Sequence, residues 1–238
     1  MVALAGVSAD AGGLGVVRLA ELLEHDKSQV SRSLKALAAW GLVERDPETR
    51  AYRLGWRLYA LAGRAGDPRL LAAARPVLGR LVGELDETMH LSVLRGTEVL
   101  TVLSQSPDRV IHAASPVGET APASCTSAGR ALLLDHGLAE LAALFGSVPL
   151  PRPGPDAARD VAELAGRIAV ARSRGFATVV DEFEVGLVGA AAPVRDFTGR
   201  VVAALNVSAP AFRFADRLEE AGTAIKAAAG RLSDAAAG

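Results

Sequence analysis

Residues 27–55 read KSQVSRSLKALAAWGLVERDPETRAYRLG, and they determine the architecture expected for the N-terminal part of the chain. The first half of this segment carries an apolar stripe at helical spacing, formed by Val30, Leu34, Leu37 and Ala38. Gly41 stands just beyond the last of these residues, at a position where glycine commonly ends a helix. The segment therefore predicts one amphipathic helix whose opposite face is polar.

A short hairpin is predicted directly after this helix. The runs LVER and RAYRL are strand-like, and DPET between them places Asp and Pro at the first two positions of a type I turn. Upstream, VVRLAELLE has its own helical spacing, and an apolar segment at 1–7 precedes it. Helices followed by a basic hairpin predict a winged helix-turn-helix domain over 1–55. In such a domain the helix after the tight turn enters the major groove of DNA.

The polar face of this helix carries side chains suited to nucleic acid. At 100° per residue, Arg32 lies almost opposite the centre of the apolar stripe. We assign Gln29 and Arg32 to base edges, because Gln pairs with adenine and Arg with guanine. The set assigned to DNA is Ser28, Gln29, Ser31, Arg32 and Lys35 on the helix, with Arg45, Arg50 and Arg53 on the hairpin. Two alternatives stay open, a basic face that is simply solvated and a protein-interaction module that contacts an acidic partner.

Overall composition excludes several classes of protein. Half of the residues are hydrophobic and 22% are charged, which is too apolar for a disordered chain. With a single cysteine, no basic N-terminal segment and no apolar run of about 18 residues, we expect a cytoplasmic protein without signal peptide or membrane span. Basic and acidic residues nearly balance, 26 against 27, yet basic residues are in surplus between 27 and 57. Such a local surplus is typical of a small phosphate-binding module.

Beyond residue 55 the pattern predicts a linker helix at 56–68 and a larger domain at 69–238. Helical runs there alternate with strand-like ones, among them HLSVLRG, TEVLTVLSQ, DRVIHAAS, FATVV, LVGAAAPVRD and RVVAALNVS. PVGETAPASC is predicted to be a loop. We expect Asp156 to cap one helix, and Asp216 with Glu219 to open the last one. Strands bracketed by helices predict an α+β sensor-type domain with helices packed on a sheet.

Three fragments of the chain resemble the IclR family of bacterial transcriptional regulators. KSQVSRSLKALAAWGLVERDPETRAYRLG is similar to the family's recognition helix and wing, while SCTSAGRALLL and GFATVVDEFEVGLVGAAAPVRDFTGRVVAALNVSAP are similar to stretches of its effector-binding domain. The resemblance implies an α+β protein with an N-terminal winged helix-turn-helix, a linker helix and a C-terminal GAF-like effector-binding domain. It also implies a homodimer or dimer of dimers that binds palindromic double-stranded operator DNA and a small organic or aromatic acid. Repression is the expected effect.

The C-terminal domain contains residues suited to such an effector. Ser124 or Thr126 is placed to cap a helix whose free N–H groups suit a carboxylate. Asn206 and Ser208 are two positions apart on one strand, so they face the same side of a sheet. The set assigned to the effector is Cys125, Thr126, Ser127, Ala128, Gly129, Asp181, Gly189, Asn206 and Ser208. Asp181 and its neighbour Glu182 either orient a ligand hydroxyl or face solvent.

At two of these places the chain departs from the family pattern. Many family members have an acidic residue where Val179 stands and a cysteine where Gly189 stands, and both places line the pocket in some members. The effector contacted by those side chains elsewhere therefore need not be the effector of this chain.

An enzyme is the main alternative to a regulator. It would use Cys125 as a nucleophile, with the winged module as a docking domain. No histidine lies near Cys125 in the sequence, and a lone cysteine in an apolar setting is usually a small buried residue. The four histidines show no metal-ligand spacing. We therefore expect no catalytic residue, no metal site and no cofactor.

Overall fold

The computed structural model describes residues 13–58, 67–108 and 117–237. By its internal contacts the chain divides into two compact units, residues 1–68 and 69–238. Each unit has an apolar core of its own. Among the described residues, no helix combines the length and the apolar character that crossing a membrane requires.

Three predicted elements fall mostly outside the described residues. They are the apolar segment at 1–7, the linker helix at 56–68 beyond its first three and last two positions, and the strand DRVIHAAS beyond its first residue. These elements stay predictions.

The N-terminal unit contains a helix-turn-helix followed by a hairpin. Its elements are α1 (Val16–Leu23), α2 (Lys27–Ala39), β1 (Val43–Arg45) and β2 (Tyr52–Leu54). The two strands pair antiparallel, with Val43 opposite Leu54 and Arg45 opposite Tyr52. The buried core of the unit includes Leu19, Val30, Leu34, Val43 and Tyr52. The predicted amphipathic helix and its hairpin are therefore confirmed.

Side chains and a glycine define the two ends of α2. Asp26 Oδ1 accepts hydrogen bonds from the N–H of Ser28 at 2.7 Å and from the N–H of Gln29 at 3.3 Å. The Ser28 hydroxyl donates to the same carboxylate. These bonds satisfy N–H groups that have no partner within the helix. At the other end Gly41 has a φ of +66°, so the predicted stop is confirmed.

The tip of the hairpin is organised by one carboxylate. Asp46 Oδ1 accepts hydrogen bonds from the N–H of Glu48 at 3.0 Å and from the N–H of Thr49 at 2.8 Å. Arg50 follows with a φ of +59°, and its N–H donates to the Asp46 carbonyl at 3.0 Å. The turn therefore presents the exposed Arg50 side chain at the end of the wing.

The C-terminal unit is built on one six-stranded antiparallel sheet in the order β5-β4-β3-β8-β7-β6. Its strands are β3 (Thr88–Arg95), β4 (Glu98–Gln105), β5 (Thr120–Pro122), β6 (Ala177–Val180), β7 (Leu187–Arg195) and β8 (Val201–Pro210). Its helices are α3 (Pro68–Leu85), α4 (Ser127–Leu132), α5 (Leu138–Phe145), α6 (Val161–Arg174), α7 (Ala211–Phe214) and α8 (Leu218–Ala237). Single 3-10 turns, Ala123–Cys125 and Ala215–Arg217, precede α4 and α8.

Helices cover both faces of this sheet. On one face α3 and α8 pack against strand residues, in a core that includes Leu78, Leu91, Leu205 and Ile225. On the other face α4, α5 and α6 form a second core that includes Leu132, Leu141, Ile168 and Ala191. Because successive residues of a strand point to opposite faces, β3 and β8 contribute to both sides of the sheet. The predicted α+β class is confirmed.

The structure corrects three local predictions. The segment PVGETAPASC is not a continuous loop, since it contains the edge strand β5 paired with β4 and a 3-10 turn. Helix α6 is capped by Asp160, whose Oδ1 accepts from the N–H of Glu163 at 2.8 Å, and not by Asp156. The last helix begins at Leu218 after a 3-10 turn, and the carboxylate of Glu219 pairs with Arg174 rather than closing a capping box.

Candidate effector cavity and DNA-reading surface

The face of α2 assigned to DNA is solvent-accessible. Ser28, Gln29, Arg32 and Lys35 are exposed on the helix, Ser31 is half-buried, and Arg45, Arg50 and Arg53 are exposed on the hairpin. The opposite face of α2 supplies the buried Val30 and Leu34 to the core. This arrangement follows from the apolar stripe, which leaves the polar side of the helix to solvent.

Two wing arginines already have partners within the unit. Arg53 Nη2 lies 3.1 Å from Glu44 Oε2, and the Arg45 guanidinium lies 5.5 Å from the centroid of the Tyr52 ring. Such contacts orient a long side chain before a ligand arrives. The ion pair with Glu44 also neutralises part of the positive charge of the wing.

Arg32, Lys35 and Arg50 form no ion pair with any residue in the described ranges. Their charges are therefore available to phosphate or to a base edge. Arg32 projects from the middle of α2, and Arg50 projects from the tip of the wing. These three residues contribute accessible positive charge to the unit.

The C-terminal unit encloses a cavity of about 310 Å³, called here the α4 cavity because the N-terminus of α4 forms one wall. The sheet supplies a second wall from Ser92, Val99, Thr101, Gly189, Asn206 and Ser208. Segments around β5 and after β6 close the remaining sides, with Glu119, Thr120, Ala121, Phe183 and Glu184. The volume is in the range of small-molecule sites.

Most of the residues assigned to the effector meet at this cavity. They are Cys125, Thr126, Ser127, Ala128, Gly189, Asn206 and Ser208, and they come from three separate segments of the chain. Val179, singled out as a departure from the family pattern, also lines the α4 cavity. The strand alternation that groups Asn206 with Ser208 therefore brings both side chains to one wall.

Two residues assigned to the effector lie outside the described lining. A Cβ on Gly129 would lie 2.1 Å from the Ala123 carbonyl oxygen, so this glycine permits close packing of α4 on the preceding turn. Asp181 has a φ of +53°, and its Oδ1 accepts a hydrogen bond from the N–H of Gly186 at 2.7 Å. Both residues shape the walls of the cavity and do not face its contents.

The sheet wall offers a fixed hydrogen-bond donor. Ser92 Oγ donates to Asn206 Oδ1 at 3.0 Å, and both side chains are buried on the same face of the sheet. Since the amide oxygen is occupied, the amide N–H₂ of Asn206 remains for a ligand in the cavity. Ser208 lies on the same strand and adds a hydroxyl.

The helix wall offers backbone donors. Thr126 Oγ1 accepts a hydrogen bond from the N–H of Gly129 at 3.1 Å, so Thr126 rather than Ser124 is the cap. The N–H groups of Ser127 and Ala128, in the first turn of α4, have no acceptor within the helix. Both residues line the α4 cavity, which lets an acceptor on a ligand reach them.

Cys125 is not placed as a nucleophile. The side chain is fully buried, and Sγ donates to the Pro122 carbonyl at 3.6 Å. Burial, reinforced by the nearby carboxylate of Glu182, raises the pKa of the Cys125 thiol to about 11. The thiolate required for attack is therefore scarce near neutral pH.

A buried ion-pair cluster lies behind the cavity, and the sequence did not predict it. Glu182 neither binds at the cavity nor faces solvent, because its carboxylate contacts Arg130 of α4 and lies 3.0 Å from Arg167 Nη1 of α6. Arg130 Nη1 also donates to the Thr178 carbonyl at 3.1 Å. Arg130 and Glu182 are 52 positions apart in the sequence, so no local sequence pattern indicates that they pair.

The chain is similar to known proteins over most of its length. A family model described as "Bacterial transcriptional regulator IclR C-terminal" matches residues 66–234, and a second model, HVO_A0114, matches residues 7–56. The HTH-type transcriptional regulator BhcR of Paracoccus denitrificans is 32% identical over 93% of this chain and 80% of its own length. The HTH-type transcriptional repressor AllR of Salmonella typhimurium is 27% identical over 94% of this chain and 83% of its own.

Solved structures agree with these relatives. An IclR homolog from Microbacterium hydrocarbonoxydans, crystallised in complex with 4-hydroxybenzoate, superimposes with a TM-score of 0.81 and 26% identity. The match covers 95% of this chain and 92% of that structure. The IclR of Thermotoga maritima, 23% identical, shares the fold with a TM-score of 0.76 over 97% of this chain and 94% of its own.

A helix-turn-helix with a basic wing, followed by an α+β unit that encloses a cavity lined by both polar and apolar residues, defines a ligand-responsive transcriptional regulator. The chain belongs to the IclR family of bacterial transcriptional regulators. It is a regulator and not an enzyme, as are the relatives to which it is similar.

Proposed function

We propose that this regulator reads an operator with the exposed face of α2 and senses a small organic acid in the α4 cavity. Gln29 and Arg32 contact base edges, while Ser28, Ser31, Lys35 and the wing arginines hold phosphates. The free charge of Arg32 and Lys35 supports their contact with DNA.

A single N-terminal unit carries too few free cations for tight binding, because phosphate neutralisation supplies much of the affinity for DNA. We therefore propose that the regulator acts as a homodimer, or as a dimer of dimers, on a palindromic site. Its half-sites lie about one helical turn, or a multiple of it, apart.

The convergence of Ser127, Asn206 and Ser208 on one cavity is the observation that carries the sensing role. The N–H groups of Ser127 and Ala128 and the amide of Asn206 are hydrogen-bond donors, as a carboxylate requires. The relative from Microbacterium hydrocarbonoxydans binds such an acid, 4-hydroxybenzoate.

Effector binding acts by shifting a population of arrangements. The effector changes operator affinity only by the difference in its own affinity for the arrangements that bind DNA well and poorly. We propose repression as the outcome, with the segment that includes α3 carrying the change between the two units.

A gel-shift assay with DNA upstream of the protein's own gene and its neighbours tests this function. Excess nonspecific competitor DNA is present, and a panel of small organic acids that includes 4-hydroxybenzoate is then added. We expect a specific shift that at least one acid alters. If nonspecific competitor DNA abolishes the shift under every condition, the result would contradict specific DNA recognition and favour a protein-interaction module.

A further inference from the structure

The described lining of the α4 cavity carries carboxylates and no cation. Glu119 precedes β5, and Glu184 lies in the loop between β6 and β7, so the two come from different walls. Both residues are solvent-exposed as well as lining the cavity. In the part of the chain that the structure describes, neither forms an ion pair. The described lining therefore carries two negative charges that no ion pair among the described residues compensates.

Hydrogen-bond donors concentrate at a different part of the same cavity. Asn206 is only 6% exposed, and its Oδ1 already accepts from Ser92, so its N–H₂ is left for a ligand acceptor. The N–H groups of Ser127 and Ala128 stand on the adjoining helix wall. The cavity thus has a buried end rich in donors and an exposed end rich in negative charge.

We propose that the effector is a small zwitterion, with a carboxylate at the buried end and an ammonium group at the exposed end. The proposal rests on the sensing role proposed above and specifies its ligand. The carboxylate accepts hydrogen bonds from Asn206 and from the N–H groups of α4. The ammonium group lies between Glu119 and Glu184 and compensates their charge.

The charges of the lining distinguish this ligand from simpler acids and amines. A monocarboxylate adds a third negative charge to the cavity and leaves both glutamates without a partner, which is unfavourable. An alkyl amine satisfies the glutamates but leaves the buried amide of Asn206 unpaired, which costs free energy. A ω-hydroxy acid fills both ends, yet it offers a neutral donor where a cation is favoured.

Calorimetry on the full chain tests the proposal with a series of ω-amino acids from 3-aminopropanoate to 6-aminohexanoate. Each is compared with the ω-hydroxy acid, the alkanoic acid and the alkyl amine of the same length. We expect at least one amino acid to bind about tenfold more tightly than the hydroxy acid and the alkanoic acid, because two partly exposed ion pairs together contribute about that much. We also expect it to bind more tightly than the alkyl amine, which leaves the Asn206 amide unpaired.

The variant E119Q/E184Q identifies the source of this preference. We expect the double variant to bind the amino acid and the hydroxy acid with nearly equal affinity, while E98Q, an exposed site outside the described lining, keeps the preference of the wild type. Equal or tighter binding of a hydroxy acid or an alkanoic acid by the wild type would overturn the proposal. Failure of every amino acid to bind would also overturn it. Operator binding is measured separately and does not depend on whether an amino acid binds. It therefore tests the regulator function independently.

Discussion

Arg130 of α4 and Glu182 of the loop after β6 form an ion pair whose side chains are only 5% and 6% exposed. Arg130 lies one helical turn from Ser127, and Glu182 directly precedes Phe183, so the pair joins two walls of the α4 cavity. Arg167 of α6 completes the cluster at 3.0 Å from the same carboxylate. The cavity is therefore held in shape by charges that a ligand does not touch.

Removing only one charge of this ion pair should strongly lower the stability of the fold. We expect E182Q to lower the free energy of unfolding by about 3 to 5 kcal/mol, because Arg130 keeps its buried charge without a carboxylate. The double variant R130M/E182L, which removes both charges, should lose clearly less. Urea unfolding followed by circular dichroism measures both values. A double variant as unstable as E182Q would show that the ion pair is not the cause.

Two glycines in helices of the same unit should respond oppositely to alanine. G129A should lower the free energy of unfolding by about 2 kcal/mol or more, since the new Cβ would meet the Ala123 carbonyl oxygen at 2.1 Å. G166A, in α6, has open space around its Cβ and should raise stability by about 0.5 to 1 kcal/mol. Thermal unfolding compares the two. Similar melting temperatures for both variants would contradict the packing role of Gly129.

His90 should make stability depend on pH. His90 on β3 is 1% exposed, neither of its ring nitrogens has a hydrogen-bond partner within the described residues, and burial lowers its pKa to about 4. Between pH 6.5 and about 4 the unfolded chain binds a proton at this residue that the folded chain does not, so stability falls as pH falls through that window. The slope is at most about 1.4 kcal/mol per pH unit.

The variant H90L isolates this contribution. We expect its unfolding free energy to change less between pH 6.5 and 4 than that of the wild type, while H25Q, at an exposed histidine, keeps the wild-type slope. Urea titrations at several pH values give the comparison. An H90L variant with an unchanged slope would assign the pH dependence to other groups.

The helix-turn-helix and most strands were predictable because their signals are local. The apolar stripe through Val30 and Leu34 is a standard pattern of an amphipathic helix, and Gly41 marks its end. Likewise, alternation along β8 is enough to place Asn206 and Ser208 on one face. The alternation along β8 therefore locates the sheet wall of the α4 cavity from the sequence alone.

Two of the remaining features depend on partners distant in sequence, and a third depends on where a helix begins. Glu182 is buried because Arg130 and Arg167 compensate its charge, and residues 160 and 156 are both aspartates, so only the actual start of α6 selects Asp160 as its cap. Strand β5 forms by pairing with the edge of β4, although its three residues, which include Pro122, have little strand character of their own. Tertiary contacts decide the burial of Glu182 and the formation of β5.

Arg32 should carry recognition of the operator. We expect R32A to weaken specific operator binding at least about tenfold, because a bidentate arginine–guanine contact contributes about 1 to 3 kcal/mol. R231A removes an exposed arginine from α8 and should leave the affinity unchanged. Fluorescence anisotropy with labelled operator, at fixed salt, measures both variants. Retained operator affinity in R32A would show that another face of the unit reads the DNA.

Control of operator affinity by a ligand in the α4 cavity can be measured directly. The measurement is the ratio of operator Kd values with and without the active acid of the panel, for wild type, N206L/S208A and the exposed-site control S147A. We expect the acid to change Kd for wild type and S147A, while N206L/S208A binds the operator normally and gives a ratio near one. An unchanged response in N206L/S208A would place the sensing site outside the α4 cavity.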